Sequence, residues 1–212
     1  MRNLILGTTL ITVGLFVMTA QATDNIPLEA VKKYVELSNP VPVLDPGKIE
    51  VVELFWYGCP HCYYFSQTIN PWAKNLPKDV NFKRIPALFG DPWDAHGQLF
   101  ITLETMGVED KIHNSVFNAI QKEGRDLTKP EDMADFVANQ GVNRTDFLKN
   151  LNSLAIRSKM DQYKELAHKY GIQSVPAMIV NGKYRFDLIT TGGPEQAINI
   201  ADQLISKERT GK

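Results

Sequence analysis

Two cysteines separated by two residues constrain the fold of this chain more than any other feature of its sequence. They are the only cysteines among its 212 residues and lie in the stretch Cys59-Pro60-His61-Cys62. The preceding residues, 48–58, read as a buried strand rich in β-branched and aromatic side chains. The following residues have a helical pattern, with Pro60 suited to the first turn, and 80–88 read as a second strand. This spacing predicts a βαβ unit with the cysteines at the helix N-terminus.

A close cysteine pair can be a structural bridge, part of a metal site or a redox centre. A bridge across two residues closes a very small loop, which constrains the unfolded chain least. A zinc site needs about four ligands, and the sequence has no second cysteine pair. The histidines show no short ligand spacing with the pair: His61, His96, His113 and His168. These observations favour a redox centre and predict no metal.

Residues 1–22 have the pattern of a secretory signal peptide. Arg2 precedes an uncharged, mostly apolar run from 4 to 18, and Ala20-Gln21-Ala22 is a small-x-small cleavage site. The alternative is an uncleaved anchor, but the run is shorter than the roughly 20 residues that a spanning helix needs. We therefore expect export and cleavage after Ala22, into an oxidising compartment where disulfides persist. The net charge of −1 gives no indication of nucleic-acid binding.

The rest of the chain divides by its hydrophobic pattern. From about 92 to 158 we find successive helical patterns and no convincing strand, and a further helix is predicted at about 158–170. Two apolar runs in 175–186 are joined by Asn181-Gly182, which favours a two-residue hairpin turn, and Gly193-Pro194 begins a terminal helix. The order predicts an α/β, thioredoxin-like fold with an inserted all-helical domain. The thioredoxin-like domain would be discontinuous (23–90 and 159–212), and the helical domain would span 91–158.

The predicted helix N-terminus gives the two cysteines different properties. Unpaired N–H groups and the helix dipole stabilise an anion there, so we expect Cys59 to be the exposed nucleophile of low pKa. Cys62, one turn further along the helix, would be the more buried resolving thiol. His61, when protonated, adds a positive charge beside both sulfurs. A stabilised thiolate favours the reduced form and makes the disulfide a strong oxidant.

Two further positions are candidates for the site. Glu53 interrupts an apolar strand, where a carboxylate is costly unless it is paired or functional. It would lie beneath the active site and exchange protons with Cys62, with Arg84 on the next strand as its candidate partner; the alternative is an edge position facing water. Val175 and Pro176 begin a strand, where proline needs a special position.

The sequence resembles the DsbA family in three features. These are Cys59-Pro60-His61-Cys62 after a hydrophobic strand, Val175-Pro176-Ala177 after a helix, and the helical block between them. This family contains the periplasmic thiol:disulfide oxidoreductases of Gram-negative bacteria, and the resemblance covers essentially the whole mature chain. It implies that Cys59 attacks and Cys62 resolves. It also implies that Val175-Pro176 is a cis-proline loop that faces the disulfide and binds substrate backbone, and that Glu53 is the family's buried acid.

The resemblance further implies the partners. Substrates would be unfolded, newly exported proteins with reduced cysteines, and the membrane quinone reductase DsbB would reoxidise the cysteine pair. No cofactor other than the Cys59–Cys62 disulfide is implied, and a monomer is the default. Three alternatives remain open: a disulfide isomerase or reductase, a non-catalytic chaperone-like binding module, and a glutathione-dependent transferase. Pro60-His61 between the cysteines suits an oxidant better than a reductant.

The remaining aromatic and histidine residues are harder to assign. Phe55, Trp56 and Tyr57 are expected to divide between core packing and the substrate surface, with core packing favoured for Phe55. His96 and His113 lie in the helical block and are interpreted as surface or packing histidines.

Overall fold

The computed structural model describes residues 33–43 and 45–211. The predicted signal peptide, 1–22, lies outside these residues. None of the helices in the described part of the chain combines the length and the apolar character needed to cross a membrane.

The fold is built on a five-stranded mixed sheet with the strand order β1-β5-β4-β2-β3. The strands are β1 (Val35–Glu36), β2 (Ile49–Phe55), β3 (Val80–Pro86), β4 (Ala177–Val180) and β5 (Tyr184–Asp187). The helices are α1 (Pro60–Lys74), α2 (Trp93–Thr105), α3 (Glu109–Gln121), α4 (Pro130–Asn139), α5 (Arg144–Leu151), α6 (Leu154–Lys169), α7 (Leu188–Thr191) and α8 (Pro194–Thr210).

The predicted βαβ unit is present. β2 and β3 pair in parallel, and α1 begins at Pro60, immediately after Cys59. Pro71 predicts a kink or an early end of this helix, yet α1 continues through Pro71 to Lys74. β4 pairs antiparallel with the other edge of β2, so β2 is an interior strand of the sheet. This interior position explains why nearly every residue of β2 is buried.

Side chains of β2 alternate between two apolar clusters on opposite faces of the sheet. Val51 packs with residues of α1 and α8. Val52 and Leu54 belong to the second cluster, which includes buried residues of the helical block. Glu53 shares the face of Val51, where it lies 2% exposed, so alternation places a carboxylate on a covered face of the sheet.

Five helices, α2 to α6, lie between β3 and β4, and the described residues of this stretch contain no strand, as predicted. α6 begins at Leu154 rather than near 158, because the Ser153 side chain caps its N-terminus by accepting a hydrogen bond from the Ile156 amide. The predicted boundary between 158 and 159 therefore falls inside a continuous helix. The division of the chain into two domains stays a prediction.

The predicted hairpin is formed by β4 and β5, but its connection has three residues rather than two. Val180 pairs with Tyr184, so 181–183 make the turn, and the Lys183 amide donates to the Val180 carbonyl. Asn181 and Gly182 both have positive φ angles, 51° and 64°. A Cβ at position 182 would lie 1.9 Å from the Val41 carbonyl oxygen, so the turn requires glycine for space as well as for conformation.

Candidate active site

The two cysteines lie at the N-terminus of α1, as the sequence predicts. Cys59 is the N-cap residue, and its Sγ accepts a hydrogen bond from the Cys62 backbone amide over 3.4 Å. The chain turns here because the Cys59 amide donates to the Trp56 carbonyl, which closes a short loop after β2. Pro60 at the first helical position needs no hydrogen-bond acceptor for a backbone N–H. The Cys62 amide, which has no partner within the helix, therefore points at the sulfur of Cys59.

The thiol groups have opposite properties, which supports the prediction from helix geometry. The pKa of Cys59 is lowered most by a hydrogen bond from the Cys62 thiol. The backbone amides of Cys62 and His61 and the charge of His61 also lower it, and these contributions outweigh the opposing effect of burial. Together they lower the pKa of Cys59 from its ordinary value of 9.0 to about 6. Burial is the largest influence on Cys62 and raises its pKa far above that value. Cys59 is the thiolate and Cys62 the protonated partner at neutral pH.

Cys59 is less exposed than the sequence suggests. It retains 8% of its surface, whereas Cys62 retains none. The loop before β4 covers it: Cys59 Sγ lies 3.6 Å from the Val175 carbonyl oxygen, to which it can donate a hydrogen bond when it is protonated. The Val175–Pro176 peptide bond is cis, in agreement with the resemblance. Pro60 and His61, on the other side of the sulfur, are exposed.

Glu53 lies on β2 beneath this helix turn and is paired with Arg84. Parallel pairing of β2 with β3 places the two residues side by side in register, and Arg84 Nε donates to Glu53 Oε2 over 3.0 Å. The expected partner is therefore correct, and the alternative of a water-facing edge position is wrong because β2 pairs with a strand on each side. Burial raises the pKa of Glu53 although Arg84 lowers it. The charge of Glu53 in turn contributes to the raised pKa of Cys62.

The core assignment favoured for Phe55 is confirmed, while a role of the aromatic residues before Cys59 in the substrate surface stays a prediction. Phe55 and Tyr57 are core residues, 0% and 1% exposed. Trp56 is half-buried and stacks on Trp93 of α2, with ring centroids 4.0 Å apart. Trp56 therefore joins the loop beside Cys59 to the helical block.

The sequence prediction missed a second group of polar residues below the cysteines. His113 is buried, as a packing histidine would be, but its Nδ1 lies 3.0 Å from the Tyr57 hydroxyl and 2.7 Å from Glu109 Oε1. Glu109 and His113 are four residues apart on α3 and so share one helix face. That spacing is common on exposed helices, and no sequence signal joins it to Tyr57.

Among the described residues, no three His, Cys, Asp or Glu side chains are grouped in a way that could hold a metal ion. The site is thus a nucleophilic thiolate at a helix N-terminus, a buried second thiol, a facing backbone carbonyl and a buried acid. This combination on a thioredoxin-like sheet is that of a thiol:disulfide oxidoreductase.

Comparison with known proteins supports this class. A family model described as a DSBA-like thioredoxin domain matches residues 94–198. The thiol:disulfide interchange protein DsbA of Pseudomonas syringae pv. tomato is 65% identical over 209 residues, covering 99% of this chain and 97% of that protein. The DsbA of Pseudomonas aeruginosa strain PAO1 is 58% identical over 209 residues, covering 99% and 98%. The crystal structure of Pseudomonas aeruginosa DsbA has a TM-score of 0.82 at 59% identity, covering 84% of this chain and 93% of that one. The chain therefore belongs to the DsbA family.

Proposed function

We propose that this protein oxidises pairs of cysteines in newly exported periplasmic proteins by donating its Cys59–Cys62 disulfide. The observation that supports this most directly is the difference between the two thiols, with the pKa of Cys59 lowered to about 6 and that of Cys62 raised. A thiolate stabilised in the reduced protein favours reduction of the disulfide. It also makes Cys59 the better leaving group when a mixed disulfide is resolved. The protein is thus suited to accept electrons from substrate thiols.

The reaction has two exchange steps. A substrate thiolate attacks Cys59 Sγ, the Cys59–Cys62 bond breaks, and Cys62 leaves with the electron pair and takes up a proton. The second substrate thiolate then attacks the substrate sulfur of the mixed disulfide, and Cys59 leaves as a thiolate. The substrate loses two electrons and gains one disulfide, while the enzyme gains two electrons. The proton that Cys62 takes up stays on the enzyme, and the other substrate proton passes to solvent.

Glu53 would supply the proton that Cys62 requires in the first step. Its pKa is raised by burial, so its acid form is available closer to neutral pH than that of an exposed carboxylate. Since Cys62 is fully buried and its thiolate is strongly disfavoured, direct protonation by bulk water is hindered. When the enzyme is reoxidised, the Cys59 thiolate would attack the partner's disulfide, and Glu53 would accept the proton of Cys62 as Cys62 attacks Cys59 Sγ and releases the partner's thiolate.

The substrate backbone would bind at the Val175–Pro176 loop, whose carbonyl already faces Cys59 Sγ. Export through the 1–22 signal peptide would place the protein in the periplasm as a monomer. The membrane quinone reductase DsbB would remove the two electrons and restore the disulfide. The cysteine pair would itself be the redox group, with no further cofactor.

The equilibrium between this protein and glutathione tests the direction of the reaction. We expect a reduction potential more positive than about −180 mV, the value of protein disulfide isomerase, because Cys59 is held as a thiolate in the reduced state. The measurement follows the reduced fraction in glutathione buffers of graded ratio at pH 7. A potential below about −220 mV, in the range of reductants, would contradict the proposed oxidase and favour the reductase alternative.

A further inference from the structure

Five buried or half-buried ionisable side chains form one connected cluster that includes the buried acid of the redox centre. They join β2 and its following loop to β3 and α3, and they are Glu53, Tyr57, Arg84, Glu109 and His113. The thiol chemistry described above uses only Glu53 from this cluster. The charges and hydrogen bonds of the other four residues influence the protonation of Glu53.

Arg84 lies between two carboxylates. Its Nε donates to Glu53 Oε2 over 3.0 Å, and its Nη1 lies 3.9 Å from Glu109 Oε1. Nη2 donates to Asn70, so the guanidinium is held in place from three sides. One positive charge cannot fully compensate two buried carboxylates, because each desolvated anion requires its own partner. Ionising either acid therefore makes it harder to ionise the other.

His113 does not supply a second positive charge. It is 4% exposed, and burial and the charge of Arg84 lower its pKa well below 6.5. A neutral ring carries on Nδ1 either a proton or a lone pair. Nδ1 therefore cannot both donate to Glu109, at 2.7 Å, and accept from the Tyr57 hydroxyl, at 3.0 Å. The hydrogen bond of Nδ1 is with the Tyr57 hydroxyl, and Glu109 Oε1 has no hydrogen-bond partner among the described residues, so His113 does not neutralise Glu109.

Glu109 is the more accessible of the two acids. Its side chain is 11% exposed, compared with 2% for Glu53. An open cleft of about 460 Å³ reaches the cluster and is lined by Arg84, Asp110 and His113. The ionisable groups that face Glu109 from the surrounding elements are Glu53 on β2, Tyr57 after β2, Arg84 on β3, Asp110 and His113 on α3, and Tyr163 on α6.

We propose that Glu109 is a positioning residue for the redox centre: by sharing Arg84 with Glu53, it makes the Glu53 carboxyl harder to ionise. The charge of Glu109 repels that of Glu53, which is one of the causes of the raised pKa of Glu53. The consequence for catalysis rests on the proposed function, in which Glu53 exchanges a proton with Cys62. The coupling of the two acids through Arg84 does not depend on it.

The test is a pH titration of the Glu53 carboxyl carbon by NMR in the oxidised protein. In Glu109→Gln, we expect the midpoint of Glu53 to fall by about one pH unit, because Arg84 then serves a single carboxylate. Glu109→Asp keeps the charge and should restore most of the midpoint. The matched control is Glu165→Gln, which removes an exposed carboxylate paired with Lys169 at the other end of the helical block. A Glu53 midpoint that moves equally in Glu165→Gln, or stays in place in Glu109→Gln, overturns the proposal.

The unsubstituted protein gives a second test that no folding defect can obscure. Two acids that share one cation titrate as a coupled pair, so the Glu53 signal should show an additional step at the midpoint of Glu109. A single-step curve for Glu53 contradicts the coupling.

The pH profile of dithiol oxidation separates this inference from the proposed function. We expect the pH–rate profile of Glu109→Gln to shift to lower pH by the same number of pH units as the Glu53 midpoint. If the Glu53 midpoint moves and the rate profile does not, the coupling stands and the proposed proton transfer from Glu53 fails. If Glu109→Gln changes the rate by the same factor at every pH and leaves the Glu53 midpoint unchanged, Glu109 has a merely structural role and the inference is overturned.

Discussion

Cys59→Ser is expected to reduce the rate of dithiol oxidation by ~10³-fold or more, as the loss of a catalytic nucleophile does in other enzymes. The first exchange step requires a sulfur at position 59 that the substrate thiolate can attack, and serine cannot form the disulfide. The serine hydroxyl fits the N-cap position, so the fold should be retained. The measurement is the loss of free thiols from a reduced, unfolded model substrate, with the variant's unfolding curve recorded alongside.

Cys62→Ser is the matched control for this substitution, because it removes the other sulfur from the same helix turn. Cys59 remains a thiolate in this variant, but no resolving thiol is present, so it should form stable mixed disulfides with oxidised partners. These adducts are visible on non-reducing gels. If Cys59→Ser kept most of the activity, the protein would be a binding module instead of an oxidase.

Phe55→Ala is expected to lower the free energy of unfolding by about 3–5 kcal/mol, the range for truncating a buried phenylalanine. Phe55 is fully buried at the end of β2, where the sheet meets the helical block. Its ring lies 5.0 Å from that of Tyr57, 5.1 Å from Phe100 of α2 and 5.3 Å from His113 of α3. The neighbouring rings come from three elements and cannot collapse together into the space that remains.

Urea unfolding of the oxidised protein measures this effect. The control is Tyr64→Ala on α1, because Tyr64 is 64% exposed and its truncation should change stability by about 0.5 kcal/mol or less. A loss below about 1 kcal/mol for Phe55→Ala would mean that the sheet and the helical block do not share the continuous core described above.

The fold was largely predictable because its strongest sequence signals are local. The apolar run of β2, the helix start at Pro60 and the absence of strand patterns between 92 and 158 each depend on neighbouring residues only. β1 (Val35–Glu36) was missed because a two-residue edge strand has no periodicity to detect. Pro71 was predicted to cause a kink or an early end of α1, and the early end does not occur, because a local rule against proline gives way when the helix is held by packing of Phe65 and Ile69.

The candidate site was predictable to the extent that its residues carry their own chemistry. Two cysteines at a helix N-terminus differ in pKa on general grounds, and a lone acid in a central strand requires a partner. The pairing of Glu53 with Arg84 depends on strand register, which the sequence alone does not define. Glu109 and His113 become part of the site only because α3 packs against the loop that carries Tyr57. Contacts of that kind arise from tertiary structure and leave no motif.

A low thiol pKa also links the stability of the reduced protein to pH. Because the pKa of Cys59 falls from 9.0 to about 6 on folding, its thiolate stabilises the folded reduced form fully above pH 9. That stabilisation is lost as the pH falls through about 6. The oxidised protein has no free thiolate and lacks this dependence, so between about pH 6 and 9 the disulfide becomes a stronger oxidant relative to a dithiol couple whose thiols have the ordinary pKa of 9.0.

The absorbance of the Cys59 thiolate near 240 nm, titrated in the reduced protein, tests the central claim most directly. Cys62→Ser provides the reference in which Cys59 alone absorbs, and its serine hydroxyl can still donate a hydrogen bond to Cys59 Sγ. For the unsubstituted protein the structure predicts a midpoint at about pH 6, set by the Cys62 hydrogen bond, the amides of α1 and His61. A midpoint near the ordinary value of 9.0 would show that Cys59 is not a stabilised thiolate and would contradict the oxidase mechanism.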